Sequence, residues 1–297
     1  MKERLVFVKS NLDEFYPAAL TIAGSDSGGG AGIQADLRTF NAAGVFGCSV
    51  ITAVTAQNPR QVSYVEVMPP KVVAAQIKAV LGTLAVRAVK TGMLGNAEVV
   101  HTVAKELQNC KLPLIVDPVM ISTSGKELLD ASGREALKNE LLVAADLITP
   151  NLPEAEWLLK RKLSNQSDYV DAALQLAENY NCNVLLKTGH AMTGKQASDI
   201  AVINQKVWSF SSPRLEDLSE FASHGTGCTL SAGITAMISL GNSWKDAIRA
   251  AKAHVYGALC ETALIGRELE GMYPPLEDYS SQISVRCLSK DRSENKR

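Results

Sequence analysis

Apolar positions along the chain fall into two alternating kinds of run. Short, near-continuous stretches of aliphatic and β-branched residues occupy 18–23, 48–56, 86–89, 114–116, 147–149 and 184–186, the pattern of strands covered on both faces. Between them, apolar residues recur at helical spacing: Ile33, Leu37 and Phe40 ahead of Gly44, then Val73, Ile77, Val80 and Leu81 in a helix over 70–82. Further helices are predicted at 96–108, 132–145, 153–160 and 168–180. Two short runs, 199–203 and 207–210, then read as an antiparallel pair, followed by a loop at 211–224 and two long helices. The first of these begins after Gly227 and carries Leu230, Ile234, Met237 and Ile238 on one face; the second runs from Ser243 to about residue 265.

This alternation predicts an α/β fold, a central and mainly parallel β-sheet flanked by helices on both faces, in which ligands bind beyond the carboxyl ends of the strands. Residues 18–279 are expected to form a single domain. Residues 1–17 read as an N-terminal extension, and the polar stretch 280–297 reads as a disordered tail.

Bulk chemistry narrows the partners. Of 297 residues 46% are hydrophobic and 21% charged, with a net charge of −1 and a sequence pI near 6.4. No basic field is available for nucleic acid or an anionic membrane. No run reaches the eighteen or so apolar residues of a membrane span, and the first sixteen residues look like neither a signal peptide nor a transit peptide. Six cysteines without CxxC spacing and four histidines without paired spacing argue against a zinc site and suit a reducing compartment. A cytoplasmic location is the expectation.

Two nucleotide motifs are decoys. Gly30-Ala31-Gly32-Ile33-Gln34-Ala35 matches GxGxxA between a strand and a helix, but the next strand ends at Gln57 without an acidic residue for a ribose. The run from Gly189 to Gly194-Lys195-Gln196 resembles a P-loop, yet Gln196 replaces the hydroxyl residue that should meet the metal and a strand is expected to follow. No GxSxG elbow is present.

The more informative stretch is His224-Gly225-Thr226-Gly227-Cys228. A Gly-X-Gly turn running into a helix presents free N–H groups and the positive end of the helix dipole to an anion. An ordinary cap with Thr226 as N-cap would give the same spelling. A thiol at that helix start, Cys228, is expected to have a lowered pKa. Other candidates lie at strand ends. The loop from Gly24 to Gly32 allows close backbone approach to a small ligand, with Asp36 in the first turn of the following helix. Gln57 can offer a donor and an acceptor to a ring edge, and Met93 and Val119 could sandwich a flat ring. Asn151 and Glu154, three apart across a helix start, could hold Mg²⁺ through water with Asp117, although a helix cap explains Asn151 equally well.

Taken together, the blocks at 19–40, 47–58, 90–94 (KTGML), 117–120 (DPVM), 147–158 and 224–234 (HGTGCTLSAGI) resemble the hydroxymethylpyrimidine/phosphomethylpyrimidine kinases of thiamine biosynthesis, members of the ribokinase superfamily. The resemblance covers roughly 18–265. It implies a ribokinase-like domain that uses ATP and Mg²⁺ to phosphorylate a small pyrimidine, 4-amino-5-hydroxymethyl-2-methylpyrimidine, and then its monophosphate. By the same resemblance Gln57 reads the ring edge, Asp36 with the backbone of Gly24 and Ala31 lines the pocket, and Met93 and Val119 pack on the ring. Gly225, Thr226, Gly227 and Cys228 form the anion hole for the γ-phosphoryl, with Cys228 as base or thiol donor. Asn151, Glu154, Thr188 and Gly189 serve the nucleotide, and Asp117 and Glu154 the metal. A homodimer is implied by analogy. The rivals are a pyridoxal kinase of the same branch and a non-catalytic pyrimidine or nucleotide sensor.

Overall fold

The computed structural model describes residues 15–122, 125–189, 194–216, 218–219, 221–267 and 269–288. Most of the N-terminal extension and residues 190–193 of the P-loop-like run lie outside them.

In chain order the elements are β1 (Ala18–Asp26), α1 (Gly32–Ala42), β2 (Phe46–Asn58), β3 (Gln61–Val67), α2 (Pro70–Leu81), β4 (Val86–Thr91), α3 (Ala97–Leu107), β5 (Leu114–Val116), α4 (Ala131–Ala136), β6 (Leu147–Ile148), α5 (Leu152–Leu159), α6 (Gln166–Tyr180), β7 (Asn183–Leu186), β8 (Gln196–Ile203), β9 (Lys206–Pro213), α7 (Thr226–Ser239), α8 (Trp244–Cys260), β10 (Ala263–Gly266), β11 (Leu269–Gly271) and β12 (Ser284–Cys287). Ten strands form one sheet in the order β12-β9-β8-β7-β6-β5-β4-β1-β2-β3, and β10 and β11 form a separate hairpin. The run from β2 to β7 is parallel; β3, β8, β9 and β12 join by antiparallel pairing.

Side-chain alternation along the central strands divides the core in two. Leu20, Ile22, Leu114 and Val116 point to the face covered by α2 to α6. Ala19 and Ile115, from the same strands, point to the opposite face beneath α1, α7 and α8. Strands covered on both sides need apolar residues at every position, which is why these read as continuous apolar runs.

Four expectations are corrected. The second strand is buried on both faces only in part, because it outruns the helices: Val54, Ala56 and Asn58 are exposed, and it turns at 59–60 into β3, an edge strand hidden by its mixed polar composition. The helix expected at 132–145 keeps α-geometry only over Ala131–Ala136, then widens into a π-type turn over Leu137–Leu141 and a 3₁₀ turn over Leu142–Ala144. The last long helix stops at Cys260, and the chain turns into the β10–β11 hairpin. The segment 280–288 is not a disordered tail, since β12 pairs in register with β9 and Ile283 is buried beside it.

Candidate active site

The carboxyl ends of β1, β2, β4, β5, β6 and β7 and the N-terminus of α7 converge on one cleft of about 770 Å³. Gly24, Ala31, Gln57, Met93, Val119, Asp117, Asn151, Glu154, Gly189 and Gly225 to Cys228 all border it. Two expected residues do not: Asp36 and Thr188 are wholly buried.

The anion-binding turn is built by backbone-to-backbone packing. Gly225, not Thr226, is the N-cap of α7, with φ of 83°, and a Cβ there would run into the Gly30 carbonyl oxygen. A Cβ on Gly30 would in turn lie 2.6 Å from His224 Cδ2. The glycine-rich loop and the α7 turn therefore touch where no side chain fits. Thr226 N–H bonds the Ser223 carbonyl and Thr229 N–H bonds that of Gly225. The N–H groups of Gly227 and Cys228 are left without an acceptor among the described residues, as the first turn of a helix dictates.

Asp26 organises the glycine loop. Its two oxygens accept the N–H groups of Gly28 and Ala31, each at 2.8 Å, and His224 Nε2 lies 3.3 Å away. Burial pushes the Asp26 carboxyl up, but the bonds from His224, Ala31 and Gly28 outweigh it and hold the group below its ordinary value. The Ala31 N–H is thus committed to Asp26, and what Ala31 offers the cleft is shape. His224 Nε2 also lies 3.4 Å from Gln57 Nε2, joining the α7 turn to the proposed ring reader.

Charge in the cleft comes from two lysines that the motif reading passed over. Lys187 Nζ donates to Asp117 Oδ1 at 2.7 Å and lies 3.3 Å from where a Gly227 Cβ would be. Burial opposes its charge, but Asp117 and then Glu154 hold its pKa above the ordinary value. Asp117 also accepts from Thr149 at 3.0 Å and from Ser231 at 3.4 Å, so it is committed to Lys187 and two hydroxyls and is corrected from a metal ligand to an anchor for the lysine. Lys90, fully buried, pairs with Asp36 at 2.8 Å, and Thr21 donates to the other Asp36 oxygen at 2.6 Å. Asp36 accordingly braces a lysine instead of lining the pocket. Both lysines sit in the same spelling, Lys-Thr-Gly after an apolar strand, at 90–92 and 187–189. A lysine ending a buried strand requires a partner, and that signal could have found them.

Asn151 and Glu154 form a reciprocal capping box at the start of α5. Burial pushes the Glu154 carboxyl up to about 7, with Lys187 opposing and Asp117 reinforcing the rise. A buried carboxyl short of positive charge suits a hard divalent cation. Among the described residues no three His, Cys, Asp or Glu side chains converge to hold a metal, so such a cation would depend chiefly on phosphate and water oxygens. At Gly189 and Thr188 the N–H groups donate to Asp199 Oδ1 at 3.0 and 2.9 Å, and Asp199 pairs with Lys252 at 2.6 Å. Thr188 shapes the turn through its hydroxyl, which donates to the Ser198 carbonyl.

The Cys228 thiol departs from expectation. Burial pushes it up to about 11. Lys90 pulls the other way, as does the Gly32 N–H, but neither overcomes desolvation together with Asp36 and Asp117. The helix start does not by itself make a thiolate here.

The phosphomethylpyrimidine kinase family model matches residues 26–273. The chain belongs to this family. A hydroxymethylpyrimidine/phosphomethylpyrimidine kinase from Rhizobium meliloti is 43% identical over 242 residues, 81% of this chain and 90% of that protein. A bifunctional thiamine biosynthesis protein from Geobacter sulfurreducens is 41% identical over 251 residues, and this chain spans only half of its length. Among solved structures, phosphomethylpyrimidine kinase from Clostridium difficile superposes with a TM-score of 0.71 at 39% identity, covering 82% of this chain and 99% of that one. Pyridoxal kinase from Staphylococcus aureus, in complex with AMP-PCP and pyridoxal, superposes with a TM-score of 0.81 at 29% identity, covering 92% and 100%. The ribokinase-like fold is thereby established, and the chain is a kinase. Among the described residues no helix is long and apolar enough to cross a membrane.

Proposed function

We propose that this kinase transfers the γ-phosphoryl of ATP to the hydroxymethyl group of 4-amino-5-hydroxymethyl-2-methylpyrimidine and then to the resulting monophosphate. The observation that carries the reading is the pair of acceptor-free N–H groups at Gly227 and Cys228 with the Lys187 ammonium beside them. Two donors and a fixed cation, converging where a γ-phosphoryl would stand, stabilise the charge of the transferring group. Gln57, Met93 and Val119, on the neighbouring strand ends, offer a polar edge and two apolar walls for a flat ring. The far side of the cleft, bordered by Leu215, Leu218, Val255 and Leu259, has room and polarity for a nucleotide base.

Mg²⁺ bound with the triphosphate would supply charge neutralisation, with Glu154 and Asn151 facing it through water. Lys187 holds the phosphoryl group in line, and the α7 turn excludes bulk water from it. Cys228, neutral at pH 7 by its raised pKa, hydrogen-bonds at the acceptor side in the resting site.

A pyridoxal kinase activity is the second reading, supported by the close superposition on the Staphylococcus aureus enzyme. Steady-state ADP release measured side by side with hydroxymethylpyrimidine, its monophosphate and pyridoxal separates the two. Turnover of both pyrimidines at higher kcat/KM than pyridoxal is expected. Preference for pyridoxal overturns the first reading, and no release with any of the three favours a sensor.

A further inference from the structure

Lys90 is a lysine with no exposed surface at the end of a buried strand, an arrangement that is costly unless the charge has a task. Its sole printed partner among the described residues is Asp36, at 2.8 Å. Both Asp36 oxygens accept donors, one from Lys90 and one from Thr21, which is how an ionised carboxylate is held. Asp36 does not border the cleft, whereas Lys90 does, beside Cys228. The ammonium has three donors, and only one is taken by Asp36. Nζ lies 3.7 Å from the position a Gly92 Cβ would take, and α7 packs directly on β4.

We propose that Lys90, anchored by the Asp36–Thr21 pair, is a positioning residue whose fixed charge favours the thiolate form of Cys228 and so serves the first phosphoryl transfer. The groups facing Cys228 are Lys90 from β4, Asp36 from α1, Asp117 after β5 and the Gly32 N–H. Lys187, after β7, feels Cys228 in turn. The two carboxylates oppose ionisation of the thiol, and Lys90 is the largest influence that favours it. The first transfer needs a proton removed from a hydroxyl; in the second the acceptor is already an anion. The influence of Lys90 should therefore differ between the steps. This part rests on the function proposed above, while the state of the thiol does not.

The test is the pH dependence of iodoacetamide alkylation at Cys228 in the full chain, followed by mass spectrometry of its peptide so that exposed Cys260 and Cys287 do not interfere. Lys90→Met is expected to slow alkylation at pH 8.5 about tenfold or more, the effect of one pKa unit or more at constant nucleophilicity, and Lys90→Arg to restore most of it. In turnover, Lys90→Met should lower kcat on hydroxymethylpyrimidine more than on its monophosphate. If Lys90→Met fails to fold, the neutral pair Asp36→Asn/Lys90→Met takes its place, with the same expectation of slowed alkylation. An unchanged alkylation profile in either folded variant overturns the proposal. Slowed alkylation with equal loss in both steps overturns its link to the first transfer. Slowed alkylation in a protein that phosphorylates no pyrimidine leaves the electrostatic role standing and removes the proposed substrate.

Discussion

Lys187 and Asp117 join the ends of β7 and β5 across the intervening β6, at 2.7 Å and almost out of solvent. The pair places an ammonium beside the α7 turn and gives the strand ends a common electrostatic floor. Lys187→Met is expected to lower kcat by 10²-fold or more, the usual scale for losing a preorganised group at a transferring charge. It should also destabilise the fold by about 3–5 kcal/mol, because Asp117 is left buried and unpaired. Asp117→Asn/Lys187→Met distinguishes the two effects: denaturant midpoints should recover while turnover stays low. Recovery of turnover in the double variant would remove the phosphoryl-holding role.

Cys228→Ala should impair the first phosphorylation more than the second, measured with the two pyrimidines separately. Equal losses count against the thiol as base. The raised pKa adds a pH prediction for stability. The folded value of about 11 lies above the ordinary 9.0, so the buried neutral thiol favours the fold fully below pH 9, and that contribution is lost as pH rises from 9 through 11. Relative to Cys228→Ala, the parent's thermal stability should fall over that window and nowhere below it.

Glu154 follows the same sign at lower pH. Its ordinary value is 4.5 and burial lifts it to about 7, so the neutral form favours the fold below pH 4.5 and the contribution is lost as pH rises through 7. Glu154→Gln keeps an acceptor for the Asn151 N–H and cannot ionise. Its midpoint should exceed that of the parent by an increment that grows from pH 4.5 to 7 and then levels, while its response to Mg²⁺-ATP weakens. A pH-independent difference would show that burial does not govern this carboxyl.

How far the fold and the site are legible in the sequence depends on whether a residue answers to its neighbours in the chain or to a distant partner. The central strands and most helices announce themselves because both faces are covered, and the period of the apolar residues then follows local geometry. The edge strands β3 and β12 do not: they are short, half polar and defined by the strand beside them. In the site, the Gly-Thr-Gly turn and the Asn151–Glu154 box are local and readable. The pairing of Asp36 with Lys90, 54 positions apart, and of Asp117 with Lys187, 70 apart, is set by sheet order, so Asp36 and Asp117 were assigned to ligands instead of lysines. Burial also reverses the expected sign at Cys228: the helix start favours ionisation, but the desolvation that accompanies a closed cleft is larger.

The C-terminal strand offers the last test. β12 pairs antiparallel with β9 from Ser284 opposite Ser211 to Cys287 opposite Trp208, and Ile283 beside it is only 4% exposed. Removing 283–297 takes away that buried side chain, a loss of about 2 kcal/mol, and leaves the hydrogen-bonding edge of β9 open. The melting temperature should fall by roughly 4–8 °C, and aggregation should accompany unfolding because the bared strand can pair with another chain. None of the β12 residues borders the cleft, so kcat below the transition should change little. If the shortened chain melts where the parent does, β12 contributes nothing to the sheet and 283–288 is the loose tail its composition suggests. If it melts lower but also loses turnover in proportion, the β9 end that carries Ser212 and Pro213 into the cleft is held in place by β12, and the edge strand is part of how the nucleotide side of the site is built.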